Sequence, residues 1–128
     1  MISRNQIFDE VSTEVSASRD VYCASRLEPV PESFPACFIT EISHYPSRRN
    51  VELQHEDEQL VRDYEVHTFS NLQNDALSEA YEVMADAESS MKRLGFIETY
   101  CGQAPNIDAT VVHVVARFTR VFGGEDTI

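Results

Sequence analysis

Apolar and β-forming residues dominate a stretch that begins at Pro35 and ends at Ile42. Proline has a fixed φ and no backbone N–H, so Pro35 can open a strand but cannot occupy its middle. Because side chains alternate between the two faces of a strand, both faces of this one are largely apolar. One face carries Ala36, Phe38, Thr40 and Ile42, and the other carries Cys37, Ile39 and Glu41. We therefore expect this strand to be covered on both sides.

Two stretches show the three- and four-residue spacing of apolar side chains that is typical of amphipathic helices. The first begins at a capping box formed by Ser3 and Gln6, with Ile2 and Ile7 at the spacing of a hydrophobic staple. Its predicted apolar stripe is Ile7, Phe8, Val11 and Val15. The second helix is predicted over residues 74–94 and is followed by Gly95, a common C-terminal cap. Its predicted stripe is Leu77, Ala80, Tyr81, Met84, Ala87, Met91 and Leu94.

Four further stretches are rich in β-forming residues, at positions 21–27, 61–71, 95–102 and 110–122. The resulting order α-β-β-β-α-β-β predicts an α+β fold, with a mainly antiparallel sheet covered on one face by two helices. We expect residues 1–128 to form a single domain. Two helices cover only one face of the sheet, so the other face could be buried against a neighbouring subunit.

The segment from Ser43 to Leu60 has little apolar content and contains a Tyr-Pro pair, an Arg pair and an acidic cluster. It predicts a long mobile loop between two strands. Loops of this length are often functional or become ordered on binding, so we expect this one to contact a partner. The candidate interface residues in it are Arg48, Arg49, Glu52, Glu56, Asp57 and Glu58.

The chain carries a formal net charge of −12, with 22 acidic and 10 basic side chains. Binding to phosphate backbones depends on Lys and Arg, so direct, specific nucleic-acid binding is not expected. The first residues lack the apolar region of a signal peptide, and no apolar run is long enough to cross a bilayer. Three widely spaced cysteines, Cys23, Cys37 and Cys101, are expected to be reduced and buried in a protein made in a cytoplasm.

Two groups of residues are candidates for a metal site or a catalytic site. His44 and His55, with the acidic residues 56–58, could bind a metal, but their spacing matches no metal motif, so no metal site is expected. Cys101, Asp108 and His113 could form a nucleophilic triad, but a lone Cys and a lone His on strands are usually packing residues. The sequence therefore predicts no catalytic, metal-binding or cofactor-binding residues, and we expect the protein not to be an enzyme.

Arg117 and Arg120 lie three positions apart on the last predicted strand and should point to opposite faces of the sheet. Two interpretations are open. They are solvent-facing strand residues, or they pair with acidic residues of another subunit.

Several stretches together resemble the tail completion proteins of tailed bacteriophages, also called tail terminators and sometimes labelled minor capsid proteins. The stretches are "SFPACFITEI", "DYEVHTFSN", the helix end "MKRLGF" and "APNIDATVVHVVARFTRVF". The resemblance extends from about Pro31 to Phe122, which is most of the chain. Their order and spacing carry the resemblance, since each motif alone is weak.

The resemblance implies an α+β subunit that forms a ring, commonly a hexamer, at the head-proximal end of the tail tube. Such a ring stops tube growth and prepares the tail for joining to the head. The implied partners are further copies of the chain, the tail tube protein and a head-completion or connector protein, in a virion assembled in the host cytoplasm. The acidity is compatible with a conduit through which DNA slides, because carboxylates repel phosphates.

Two other functions stay open at this stage. Within the structural class, the alternative is a head-side connector (head-completion) protein. In a different class, the protein would be a small enzyme or ligand-binding module that uses Cys101 and His113.

Overall fold

The computed structural model of the protein describes residues 3–28, 30–46, 60–106 and 108–122. Two helices and five strands form an α+β fold, as the sequence predicts. In chain order the elements are α1 (Arg4–Val15), β1 (Tyr22–Ala24), β2 (Ala36–Pro46), β3 (Leu60–Ser70), α2 (Ala76–Arg93), β4 (Ile97–Ala104) and β5 (Val112–Phe122). Among the described residues, neither helix is both long and apolar enough to cross a membrane.

The five strands form one sheet in the order β1-β2-β3-β5-β4. The pairs β2–β3, β3–β5 and β4–β5 are antiparallel, whereas the short β1 runs parallel to the start of β2. The sheet is thus mainly antiparallel, with β3 at its centre between β2 and β5. Both helices pack on the same face, which we call the helix-covered face, and we call the opposite one the open face.

The capping box predicted for α1 is present. The backbone N–H of Gln6 donates to Oγ of Ser3 at 3.1 Å, and the N–H of Ser3 donates to Oε1 of Gln6 at 2.8 Å. The helix buries Ile7, Val11 and Val15, while Phe8 is only partly buried. Ile2, the predicted staple partner, lies outside the described residues.

The C-terminus of α2 forms a Schellman motif. Gly95 has a φ of 88°, its N–H donates to the Lys92 carbonyl, and the N–H of Phe96 donates to the Met91 carbonyl. The Arg120 guanidinium, carried by β5, also donates to the carbonyl of Leu94. A cation at this position opposes the partial negative charge of the helix end.

The predicted apolar stripe of α2 is only partly correct. Leu77 and Tyr81 are exposed, and Val83 is buried in their place. All three satisfy helical spacing, but Leu77 and Tyr81 lie on one flank of the stripe, turned away from the sheet. The buried side of α2 consists of Ala80, Val83, Met84, Ala87, Ser90 and Met91.

The predicted loop at residues 43–60 starts too early and ends too late. β2 continues to Pro46 and β3 begins at Leu60, and these two residues pair directly. The polar residues that suggested a loop are accommodated by strand pairing, since Oγ of Ser43 donates to the Asp63 carboxylate at 3.0 Å. The remaining predicted loop, 47–59, lies outside the described residues.

The two apolar faces of β2 are covered in different ways. Cys37 and Ile39 pack into the main core beneath the helices. On the open face, Phe38 is fully buried in a second, smaller cluster that includes Tyr22 and Phe34. The rings of Tyr22 and Phe38 meet edge to face at 6.0 Å. The chain therefore covers this end of the open face by itself, and burial of Phe38 requires no neighbouring subunit.

Candidate functional site

The pairing of the strands arranges the open face in rows that cross the sheet. The row nearest the β1 end joins Ala36, Phe69, His113 and Ala104, and the next joins Phe38, His67, Val115 and Gly102. A third row joins Thr40, Glu65, Arg117 and Tyr100. Towards the other end lie the row of Ser43, Asp63, Thr119 and Ile97 and the row of Tyr45, Val61 and Val121. Apolar side chains thus occupy both ends of the open face, and charged groups lie between them.

An exposed apolar patch occupies the end of the open face that is remote from β1. We call it the open-face patch, and its members are Tyr45, Val61, Ile97 and Val121. Ile97 is 68% exposed, Val121 51% and Tyr45 46%. The patch extends to the end of β2 at Pro46 and to the start of β3 at Leu60. Large apolar side chains grouped in this way are typical of a surface that contacts another protein.

A chain of polar contacts occupies the middle of the open face. Nδ1 of His67 lies 2.8 Å from Nε2 of His113, and Nε2 of His67 lies 3.0 Å from Oε1 of Glu65. The other carboxylate oxygen of Glu65 accepts from Nε of Arg117 at 2.8 Å. The His113 ring also stacks on Phe69, with centroids 4.1 Å apart. These groups border a shallow pocket of about 590 Å³ between β3, β5 and β4.

Burial lowers the pKa of both histidines. The pKa of His113 falls to about 4, first because of burial and then because of the charge that His67 carries when protonated. The pKa of His67 is also lowered by burial, and the neighbouring Glu65 opposes that effect. His113 is consequently a neutral imidazole at neutral pH.

Arg117 and Arg120 point to opposite faces of the sheet, as predicted. Arg117 is exposed on the open face and pairs with Glu65 of the same chain. Arg120 lies on the helix-covered face, where its guanidinium contacts the Leu94 carbonyl and stacks 4.3 Å above the Phe122 ring. Both arginines therefore have partners within the chain, and contacts of either residue with another subunit stay a prediction.

Cys101 and His113 do not lie together. Cys101 pairs with Ala116 and faces α2, whereas His113 lies on the open face. The alternation of strand side chains thus separates the proposed nucleophile from its base. Cys101 is also exposed, contrary to the expectation that all three cysteines are buried, because β4 is an edge strand.

Cys101 instead lies beside two carboxylates, Glu88 of α2 and Glu98 of β4, with the ligand atoms of all three within 4.8 Å. Burial raises the pKa of Glu88 to about 7, and the hydrogen bond with Glu98 and its charge contribute further. Although Cys101 is exposed as a residue, partial desolvation of its thiol raises the thiol's pKa, and the charges of Glu88 and Glu98 raise it further. A thiol with a raised pKa is a weak nucleophile.

Six predicted interface residues lie outside the described part of the chain, and their role stays a prediction. They are Arg48, Arg49, Glu52, Glu56, Asp57 and Glu58. His55 lies there too, while His44 is exposed on β2, 3.9 Å from the carboxylate of Glu41.

The sequence did not reveal the pairing of His67 with His113. Each histidine stands alone in a β-forming stretch, and their meeting depends on β3 lying next to β5 in one register. Alternation of side chains does show that each histidine shares a face with the other odd-numbered residues of its own strand. That signal becomes useful only when the neighbours of each strand are known.

Comparisons with known proteins gave similarity to solved structures and no match at the level of sequence. No protein-family model matches the chain, and no curated protein matches its sequence. Among solved structures, the chain is similar to the sheath/tube terminator in the extended state of PVC, an extracellular contractile injection system. The TM-score is 0.49 at 9% identity, and the alignment covers 99% of this chain and 60% of the terminator chain. At these values the similarity carries no conclusion about function.

Proposed function

We propose that the protein is a structural subunit at the end of a phage-like tail. It assembles with further copies of itself into a ring, with six subunits as the number that the sequence resemblance implies. The ring caps the tail tube and prepares it for joining to the head, so its other partners are the tube protein and a head-completion or connector protein. It belongs to the virion and is assembled in the host cytoplasm. In this role the protein has no catalytic activity and no affinity for DNA.

The observation that carries the proposal is the open-face patch. The chain covers the β1 end of the open face with its own Tyr22 and Phe34, yet it leaves the other end exposed. Burying apolar area stabilises association by about 25 cal/mol per Å² before the costs of binding are subtracted. A subunit that assembles through its sheet is expected to have an uncovered surface of this kind.

The placement of the sequence motifs agrees with this role. The motifs behind the resemblance to tail terminators fall on β2, β3, the end of α2 and β5. Three of these elements, β2, β3 and β5, are adjacent strands of the sheet. The motifs that carry the resemblance therefore lie mainly in the strands that form the framework of the fold. The proposed role is of the same kind as that of the sheath/tube terminator named above, but the proposal does not rest on the structural similarity to it.

The arrangement of Cys101 and His113 weakens the enzymatic alternative. Cys101 lies on the helix-covered face of the sheet and His113 on the open face. In this fold the two side chains therefore cannot belong to one site. Within the part of the chain that the structure describes, no feature favours a head-side connector over a tail-end ring. Binding of the purified protein to tail tubes, compared with binding to tail-free heads, separates these two functions.

The test of the proposal compares two tyrosines on opposite sides of the sheet. Tyr45 of the open-face patch is 46% exposed, and Tyr81 of α2 is 38% exposed. Light scattering over a concentration series should show oligomers for the wild type and for Tyr81→Ala, and a shift towards monomers for Tyr45→Ala. Equal behaviour of the two variants would show that the patch does not form the interface.

A further inference from the structure

Two strands of the sheet have an outer edge that no other described strand covers. β4 is the last strand of the sheet and pairs only with β5. On the opposite side, β1 pairs with only the first three of the 11 residues of β2, Ala36 to Phe38. Residues 39–46 therefore have a neighbouring strand, β3, on one side alone. Among the described residues, no main-chain hydrogen bond reaches the outer side of β4 or of residues 39–46.

The two uncovered edges match in length and in direction. β4 has eight residues, and β2 has eight beyond the three that pair with β1. β3 and β4 run antiparallel to β2, whereas β5 runs in the same direction as β2. A second copy placed beside the first in the same orientation thus presents its β2 antiparallel to β4. Antiparallel pairing is the slightly more stable arrangement of two strands.

Neither edge has the basic side chains that usually keep exposed strands apart. Exposed edge strands are commonly protected by charged residues, lysine above all. Residues 39–46 and 97–104 contain no lysine or arginine, although 25% of the residues in the chain are charged. Each edge has one acidic residue, Glu41 or Glu98, and both point to the helix-covered face. The main-chain groups of both edges are therefore accessible to another strand.

Each edge contains one β-bulge, which shortens its regular part without removing it. The register shifts around Ile42 in β2 and around Thr99 in β4. Beyond these positions the pairing is regular, from residue 43 to 46 in β2 and from residue 100 to 104 in β4. Each strand thus keeps a regular outer edge of four or five residues.

The open-face patch becomes continuous between copies when the two edges pair. Tyr45 lies on β2 and Ile97 on β4, at the same end of the open face. The row that contains Ile97 also contains Ser43, which is two positions from Tyr45. Across a joint without stagger, Ile97 of one copy therefore comes within diagonal reach of Tyr45 of the next. Cross-strand contacts between aromatic and β-branched side chains stabilise a sheet.

We propose that β4 of one copy adds to the uncovered edge of β2 in the next copy, so that the subunits form one continuous antiparallel sheet around the ring. This inference rests on the proposed ring and names the surfaces by which its subunits meet. The contact is head to tail, because it joins two different edges, and closing the ring leaves neither edge uncovered. A two-fold dimer would instead pair β4 with β4 and leave the edge of β2 open.

The experiment measures hydrogen–deuterium exchange of the full chain by mass spectrometry, in the dilute monomer and in the assembled state, alone or on tail tubes. Amides that point outward from a strand edge exchange quickly, whereas hydrogen-bonded amides are protected. Assembly should slow exchange at least about tenfold in peptides that cover residues 42–46 and 97–104. Peptides of β3, which has a neighbouring strand on both sides, are the internal reference and should not change.

Two substitutions of Thr99 form a matched pair on β4. Thr99 is exposed and has no register partner on β5, and proline is tolerated at bulges and on edge strands. Thr99→Pro removes an N–H and places a ring on the edge, so it should shift the protein towards monomers. Thr99→Ala keeps the N–H and should assemble like the wild type. Thermal melting of both variants checks that the subunit is folded.

The outcomes separate this inference from the proposed function. Failure to form any oligomer, free or on tubes, would overturn both. Oligomers whose edge amides exchange as fast as those of the monomer would overturn the inference alone, since the subunits would then meet through side chains only. Protection of β4 without protection of residues 42–46 would indicate the two-fold dimer and also overturn it. The wild-type protein decides each point, even if Thr99→Pro folds poorly.

Discussion

Arg62 of β3 and Glu41 of β2 form an ion pair that is almost completely buried. Nε of the arginine lies 2.9 Å from Oε1 of the glutamate, and only 7% and 8% of the two side chains are exposed. Arg4 at the start of α1 approaches the same carboxylate at 3.4 Å, and Arg62 also donates to the hydroxyl of Tyr64. The cluster thus joins the first helix to the edge of the sheet next to the strand ends that lead into residues 47–59.

Replacing Glu41 tests the contribution of this cluster. Removal of one partner of a buried pair leaves the other charge poorly compensated, which costs about 3 kcal/mol of unfolding free energy. Glu41→Ala should therefore lower the urea midpoint strongly. The control is Glu82→Ala, whose carboxylate pairs with Arg19 and is 61% exposed, and its cost should stay within about 0.5 kcal/mol. Similar midpoints for both variants would mean that the buried pair adds nothing to stability.

The close contact of Gly95 with Arg120 gives a second prediction. Gly95 has a φ of 88°, and a Cβ atom there would lie 3.0 Å from Nε of Arg120. Gly95→Ala should destabilise the protein by about 1–2 kcal/mol, from backbone strain and from displacement of the arginine. In a double-mutant cycle with Arg120→Ala, the cost of the alanine at position 95 should be smaller. Strict additivity would show that the two positions do not interact.

The pair of carboxylates between α2 and β4 makes stability depend on pH. The pKa of Glu88 is about 7 when folded, against 4.5 for an ordinary glutamate. The folded state therefore binds more protons than the unfolded state between pH 4.5 and 7, and stability falls as the pH rises through this window.

Glu98→Gln removes the like charge beside Glu88 and should lessen this loss. Thermal melting should show the variant to be more stable than the wild type at pH 8 and nearly equal at pH 4. Glu82→Gln, which changes an exposed glutamate of the same helix, provides the control. A difference between Glu98→Gln and the wild type that is the same at both pH values would contradict the prediction.

The elements of the fold were predictable because their signals are local. The Ser3–Gln6 capping box, the Gly95 cap and the alternation of β2 each depend on residues a few positions apart. The flank of α2 that faces solvent was not predictable, because Leu77 and Val83 fit the helical spacing equally well. Which of the two is buried depends on the rotation of α2 about its own axis where it packs on β3 and β5.

The candidate sites depend on the register of the strands, which the sequence does not reveal. The pairing of His67 with His113 and the separation of Cys101 from His113 both follow from which residues lie opposite each other. The extension of β2 to Pro46 was missed for a related reason. Its polar residues are stabilised by partners on β3, such as Asp63 for Ser43, and those partners are distant in sequence.

Residues 47–59 give a prediction about assembly. Pro46 and Leu60 pair directly, so a short glycine-containing turn can join β2 to β3. Replacing 47–59 by such a turn should leave the melting temperature nearly unchanged, because loop length costs little free energy. If Arg48, Arg49 and the acidic residues contact a partner, assembly of the tail should fail in a complementation assay. Normal melting with full infectivity would show that these residues are dispensable.

The most direct test of the central claim is to image the purified protein by negative-stain electron microscopy, alone at high concentration and mixed with tail tubes. The account predicts rings of uniform diameter, either free in solution or at one end of the tubes, and their loss in the Tyr45→Ala variant. A protein that remains monomeric at every concentration, and that leaves the tube ends bare, would contradict the proposed role.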